Sequence, residues 1–131
     1  MLDTLARAAD TSGGDMQIHR IMPIIQSEDL AATREHYVNL LGFEVVMEMD
    51  WIVTLVAPGD PKRQISVMTE DATAPVPPDI SIEVDDVDAA HAAAREQERV
   101  IVHPLTDEPW GVRRFFCLDP SGTVINILSH R

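Results

Sequence analysis

The two carboxylates best placed to act together in this sequence are those of Asp79 and Glu83. They share one face of a predicted strand, because successive side chains of a strand point to opposite sides. Neighbouring carboxyl groups perturb one another when buried, so the pair could act as a general acid and base. The alternative is that both carboxylates lie on a solvated rim and do no chemistry.

Other reactive side chains show no supporting pattern. Cys117 lies in an apolar predicted strand with no histidine near it in sequence, which is typical of a buried, inert thiol. No G-x-S-x-G turn is present. The histidines include no closely spaced ligand pair; they are His19, His36, His91, His103 and His130. The sequence therefore predicts no catalytic nucleophile and no histidine-built metal site.

Two tryptophans are the best candidates for binding a small molecule. Trp51 and Trp110 occur in a chain with only 5% aromatic residues. Indole rings stack well on flat or cationic ligands. Trp110 precedes Gly111 in a predicted loop, from which its ring could overhang a cavity, whereas Trp51 could equally be part of the core. Methionines such as Met22 and Met47 could supply an adaptable wall.

Composition narrows the class of protein further. With 131 residues, of which 45% are hydrophobic, we expect one small domain. The formal charge of −12 disfavours nucleic acid and mildly favours a cationic ligand, although it could serve solubility alone. We expect no membrane span and no secretion signal. One cysteine fits a reducing cytoplasm.

The elements that must position these side chains occur in two similar halves. Residues 1–15 are predicted to be a flexible appendage, and residues 16–131 a single domain. Module 1, about residues 17–69, contains a strand, a helix between Asp29 and Gly42, and three more strands. Module 2, about residues 79–129, repeats this order, with Asp86 capping the second helix. Predicted strands are 17–26, 43–49, 51–56, 64–69, 79–84, 99–103, 112–118 and 123–128.

Several short motifs now carry a family resemblance. They are Glu28-Asp29-Leu30 with the Leu40-Leu41-Gly42-Phe43 stretch, Val84-Asp85-Asp86-Val87, Trp110-Gly111-Val112-Arg113, and Asp119-Pro120-Ser121-Gly122. In this order the chain resembles the vicinal-oxygen-chelate superfamily, which includes glyoxalase, bleomycin-resistance protein and ring-cleaving dioxygenase. The resemblance implies an α+β fold of paired βαβββ modules, whose mixed sheet curls into a cup with helices outside.

The resemblance also identifies where metal-using relatives hold their ion. Motif spacing puts those positions at Met22, Asp79 and Asn126, where relatives have histidine or glutamine, histidine, and glutamate. A thioether and a neutral amide are weak ligands for hard divalent ions. The expectation is therefore no metal and no cofactor. An ion held by Gln26, Asp79, Glu83 and Asn126 together remains an alternative.

These points lead to two functional hypotheses. The first is a metal-independent protein of the bleomycin-resistance type, which sequesters an aromatic or cationic ligand. The second is a metal-free isomerase, epimerase or lyase that uses Asp79 or Glu83 as general base. The resemblance favours a homodimer, and it favours Arg113 over Arg114 as the arginine facing the cup. The predicted ligand-binding residues are Met22, Met47, Trp51, Asp79, Glu83, Trp110, Arg113 and Asn126.

Overall fold

The computed structural model describes residues 16–131, and its elements follow the order β-α-β-β-β twice. The first half comprises β1 (Ile18–Gln26), α1 (Leu30–Leu41), β2 (Glu44–Met49), β3 (Ile52–Ala57) and β4 (Asp60–Met68). The second half comprises β5 (Ile80–Val84), α2 (Val87–Glu96), β6 (Ile101–Asp107), β7 (Val112–Leu118) and β8 (Val124–His130). The repeated order predicted from the sequence is confirmed. The predicted appendage, residues 1–15, lies outside the described residues.

All eight strands form one open mixed sheet in the order β2-β3-β4-β1-β5-β8-β7-β6. Each half has the same pairing, because β1 is parallel to β4 as β5 is parallel to β8. The halves join at the centre, where β1 runs antiparallel to β5 and Met22 lies opposite Ser81. The two modules are thus paired within one chain, and the α+β class with a curled sheet is confirmed.

Both helices begin where the sequence predicted, and α1 also ends at the predicted residue. The Asp29 side chain accepts a hydrogen bond from the backbone at the start of α1, and Gly42 ends this helix with a left-handed φ of 77°. Asp86 caps α2 in the same way. The Ser129 hydroxyl on β8 accepts a further bond from the Val87 N–H, 3.0 Å away. Within the described residues, neither helix is long and apolar enough to cross a membrane.

Each helix covers the outer face of its own half-sheet. Two apolar clusters fill the space between the helices and the strands. The first lies beside α1 and consists of Val53, Leu55 and Val67. The second includes residues of α2 and consists of Val84, Val87, Ala94, Phe115 and Cys117. The alternation of strand side chains then directs the remaining set to the opposite, concave face. This concave face forms the inner surface of the cup.

Two strands, β4 and β6, extend by several residues beyond a predicted end, and each extension contains a proline. We predicted a strand from Gln64, but β4 begins at Asp60 and includes Pro61. We predicted that the sixth strand ends at His103, but β6 continues through Pro104 to Asp107. Proline is tolerated at a sheet edge because it need not donate a ladder hydrogen bond there. Pro104 lies on β6, which is an edge strand. Pro61 lies in the part of β4 that does not pair with β1, because β1 pairs only with the last part of that strand.

Candidate functional site

The concave face of the sheet encloses a cavity of about 290 Å³. Such a volume lies near the lower end of the range for small-molecule sites. Seven strands contribute to its wall, together with the turn before β3 and the loop before β7. Much of the wall is apolar and includes four methionines. Five of the predicted ligand-binding residues line the cavity: Met22, Met47, Trp51, Trp110 and Asn126.

The two tryptophans meet on this wall. Trp51 lies in the turn between β2 and β3, and Trp110 lies in the loop between β6 and β7. Their ring centroids are 5.9 Å apart at an interplanar angle of 62°. Trp110 remains 40% exposed, so much of its ring is not covered by protein. The pair offers aromatic surface to a flat molecule in the cavity.

Three polar or soft side chains form the floor. Met22 on β1, Ser81 on β5 and Asn126 on β8 are brought side by side by the strand register. The Asn126 amide nitrogen donates to the Ser81 hydroxyl at 3.0 Å. Asn126 is buried, and its amide oxygen has no hydrogen-bond partner among the described residues. An unpaired acceptor on a cavity floor is available to a donor group of a ligand.

Asp79 is not part of this floor, contrary to the sequence-based prediction. It immediately precedes β5, is exposed, and does not line the cavity. One carboxylate oxygen accepts a hydrogen bond from the Val124 N–H at 2.8 Å. The predicted strand began at Asp79, whereas β5 begins at Ile80, so strand alternation does not fix the direction of this side chain. Its carboxylate joins two strand ends instead of meeting a ligand.

The floor does not fit the metal ion that members of the resembled family use. Its donors are the thioether of Met22, the hydroxyl of Ser81 and the amide of Asn126. Hard divalent ions prefer carboxylates and imidazoles to such neutral or soft groups. In the part of the chain that the structure describes, no group of three His, Cys, Asp or Glu side chains could hold a metal. Gln26, in the alternative ion site, is also exposed and outside the cavity wall.

Glu83 lies behind the cavity wall, between two basic side chains. Arg20 forms an ion pair with it at 2.7 Å, and the His130 Nδ1 atom lies 2.8 Å from its other carboxylate oxygen. Burial by itself raises the pKa of Glu83, but the hydrogen bond to His130 and the charges of His130 and Arg20 outweigh it, so the pKa is lowered. Glu83 is therefore an ionised partner for two bases that do line the cavity.

A second ionic cluster consists of Arg114, which lines the cavity, and two buried carboxylates outside the wall. Arg114 donates two hydrogen bonds to Asp71, both at 2.8 Å, and one to Glu108 at 2.6 Å. The Thr73 hydroxyl accepts a fourth at 2.8 Å. The guanidinium also stacks against Trp110, 5.0 Å from its ring centroid. Arg114 thus contacts the Trp110 ring while its own charge is compensated by the two carboxylates.

Arg114, not Arg113, is the arginine at the cup, which corrects the prediction made from the resemblance. Arg113 lies on the other face of β7, where it bonds Asp88 of α2 at 3.0 Å and Asp107 at 3.2 Å. These bonds raise the pKa of Arg113. Arg113 faces away from the cavity because it shares its face of β7 with Phe115, which packs in the core cluster beside α2.

Sequence reasoning missed four titratable residues in or next to the cavity wall. Arg20 and His130 could have been found by alternation, because they lie two residues from Met22 and from Leu128 on the inward faces of β1 and β8. Asp71 and Glu108 carried no such signal. They lie outside regular strands, and only the folded chain brings them to Arg114.

Comparison with known proteins agrees with this architecture. Residues 17–127 match the family model described as glyoxalase/bleomycin resistance protein/dioxygenase superfamily. No protein of curated function matches the sequence.

Several solved structures have the same fold at low sequence identity. A superfamily member from Vibrio splendidus 12B01 has a TM-score of 0.66 at 18% identity, over 88% of this chain and 100% of that one. A Legionella pneumophila protein described as NAD-dependent benzaldehyde dehydrogenase has a TM-score of 0.68 at 18% identity, over 85% of this chain and 99% of its own. The Mn(II)-bound glyoxalase from Novosphingobium aromaticivorans has a TM-score of 0.61 at 19% identity, over 86% of this chain and 38% of its own.

Proposed function

This chain belongs to the glyoxalase/bleomycin resistance protein/dioxygenase superfamily, and from that premise we propose that it binds an aromatic small molecule without using a metal ion. The observation that carries the proposal is the pair of indole rings, 5.9 Å apart, on the cavity wall. Aromatic stacking contributes about 0.5–1.5 kcal/mol beyond burial of area. The two rings and the methionine-rich wall each add contacts to the ligand, and about 1.4 kcal/mol of such contact free energy tightens binding tenfold.

The donor chemistry of the floor supports the metal-free part of the proposal. Relatives that use a metal need side chains that bind hard cations, and Met22, Ser81 and Asn126 are not of this kind. The same groups suit an organic ligand. The free amide oxygen of Asn126 can accept a hydrogen bond from it, and Met22 can adjust to its shape.

Only basic groups among the titratable side chains line the cavity, and this favours a neutral or anionic aromatic ligand over the cationic one that the sequence indicated. The titratable side chains of the wall are Arg20, Arg114 and His130. Asp79 and Glu83, which were expected to meet a cation, do not line the cavity. A cationic ligand would therefore meet basic groups first, with the compensating carboxylates behind them.

We further propose that the protein holds its ligand unchanged, as drug-sequestering proteins of the bleomycin-resistance type do. The cavity wall contains no cysteine or aspartate, and its hydroxyl groups, those of Thr54 and Ser66, bond to each other at 3.2 Å. Ser81, the remaining hydroxyl of the wall, accepts from Asn126. None of these hydroxyls has a histidine partner that would activate it as a nucleophile.

A metal-free isomerase, epimerase or lyase is the second candidate, and one contact favours it. Glu83 itself is a poor general base because its pKa is lowered. The His130 Nδ1 atom, however, lies 2.8 Å from Glu83, and a carboxylate in that position orients an imidazole so that its other nitrogen can accept a proton.

A screen of aromatic compounds by tryptophan fluorescence tests the proposal. We expect ligands to change the emission and the Trp110→Ala variant to bind them about tenfold more weakly, which corresponds to about 1.4 kcal/mol. Trp110→Phe is the matched control, because it keeps a ring and should lose less affinity. Recovered ligand should be chemically unchanged. Turnover abolished by His130→Gln would instead establish the enzyme candidate.

A further inference from the structure

The Arg20, Glu83 and His130 side chains form a cluster at one end of the cavity. Both bases line the cavity, whereas Glu83 lies behind them and contacts both. The Arg20 Nε atom is buried and has no hydrogen-bond partner among residues 16–131. An unpaired charged donor is costly to bury unless a further partner is present for part of the time. The Arg20 guanidinium, which lines the cavity, therefore keeps one donor that Glu83 does not satisfy.

We propose that Arg20 and His130 bind the carboxylate of an aromatic acid, with His130 taking up a proton as the acid binds. This inference rests on the proposed function, because the aromatic part of the same ligand would lie against Trp51 and Trp110. Charge-assisted bonds from a guanidinium and an imidazolium are the strong type of hydrogen bond to a carboxylate. The subsite would therefore orient the ligand, with its carboxylate at Arg20 and His130.

Proton uptake follows from the charges of the cluster. Ionised Glu83 already offsets Arg20, so a bound carboxylate would leave one negative charge in excess while His130 is neutral. With the Glu83 carboxylate accepting from Nδ1, a neutral ring presents an unprotonated Nε2 atom, whose lone pair repels another carboxylate. Protonation turns that atom into a donor that can bond the ligand carboxylate.

Other titratable groups near His130 do not replace it in this role. Arg131, the next residue, bonds Asp88 at 3.2 Å on the outer surface. Arg114 on β7 is occupied by Asp71 and Glu108. Among residues 16–131, the charged side chains that remain near His130 are therefore Glu83 on β5, which contacts it, and Arg20 on β1, which contacts Glu83.

The net charge of the whole chain does not prevent an anion from binding here. The formal charge is −12, but exposed charges more than about 8 Å away are largely screened at physiological salt. Direct contacts with Arg20 and His130 act at hydrogen-bond distance. The overall charge slows the approach of an anion more than it weakens the bound state.

Calorimetric titration with three compounds of nearly the same shape tests the inference. The compounds are 2-naphthoate, 2-naphthamide and 2-naphthamidine, which differ mainly in the charge of one group. At pH 6.5 we expect the carboxylate to bind about tenfold more tightly than the amide, and the amidine to bind most weakly. In buffers of different ionisation enthalpy, binding of the carboxylate should take up part of a proton at pH 7.5, and binding of the amide should take up none.

Variants connect these effects to the cluster. Arg20→Met and His130→Gln should each remove most of the preference for the carboxylate, and His130→Gln should also abolish proton uptake. His19→Gln is the matched control, since His19 is exposed on the same strand as Arg20 and does not line the cavity. Equal binding of amide and carboxylate, or proton uptake that survives in His130→Gln, would overturn the subsite while leaving the cup as the binding site. No binding of any of the three compounds would contradict the proposed function itself.

Discussion

Replacing the buried Arg114 tests the structure, because the same replacement at its less buried neighbour Arg113 serves as a control. Replacing Arg114 by methionine removes four hydrogen bonds, three to the carboxylates of Asp71 and Glu108 and one to the Thr73 hydroxyl. Both carboxylates then remain buried without their counter-ion, since Arg114, Asp71 and Glu108 side chains are 3% exposed or less. Breaking a buried pair by removing one partner typically costs about 3–5 kcal/mol.

We therefore expect Arg114→Met to lower the free energy of unfolding by about 3–5 kcal/mol. Arg113→Met should cost much less, because its partners Asp88 and Asp107 are mostly exposed, at 54% and 68%. Urea unfolding followed by circular dichroism measures both values. Tryptophan emission of the folded protein should change only in Arg114→Met, which loses the guanidinium stacked on Trp110.

Equal losses in the two variants would refute this reasoning, since they would mean that Arg113 and Arg114 lie in similar environments. A larger loss in Arg113→Met would show that the inward and outward faces of β7 are exchanged. Asp71→Asn gives an independent check. It keeps the shape of the side chain but removes a charge, and we expect it to lose part of the same stability.

Three further predictions concern pH, assembly and the N-terminal residues. Because the folded-state pKa of Glu83 is lowered, its stabilising contribution is present above the ordinary carboxyl value of 4.5 and is lost as pH falls through the folded pKa. The difference in unfolding free energy between wild type and Glu83→Gln should therefore shrink on acidification. A difference that stays constant with pH would contradict this. We expect a homodimer through edge strand β2, all of whose residues are exposed. Sedimentation should give twice the 14.5 kDa chain mass, and Val46→Lys should favour the monomer. A wild-type protein that sediments only as a monomer would count against the homodimer. A chain beginning at Met16 should melt within a few degrees of the full chain, and loss of cooperative unfolding would show that residues 1–15 stabilise the domain.

Much of the fold could be predicted from the sequence because both modules carry strong local signals. Asp29, Gly42 and Asp86 mark helix ends through backbone hydrogen bonds that depend on few residues. Strand alternation likewise assigned Asn126 to the cup and Ile127 to the helix side, and both assignments agree with the structure. Such features need no knowledge of distant contacts.

The site was only partly predictable because alternation gives the face of a side chain but neither its depth nor its partners. Asp79 lies just before β5, and its carboxylate accepts a hydrogen bond from the Val124 N–H instead of lining the cavity. Glu83 is inward but covered by Arg20 and His130. Asp71 reaches Arg114 across 43 positions of sequence, and no local pattern indicates such a contact.

The central claim is that an aromatic ligand binds in this cup without a metal ion, and titration of chelator-dialysed protein tests it most directly. A ligand found by the fluorescence screen is titrated into protein dialysed against EDTA, and then into the same protein with added Mn²⁺ or Ni²⁺. We predict the same affinity in all three samples, and binding about tenfold weaker in Trp110→Ala. Binding that appears only with metal, or that is unaffected by Trp110→Ala, would contradict the claim.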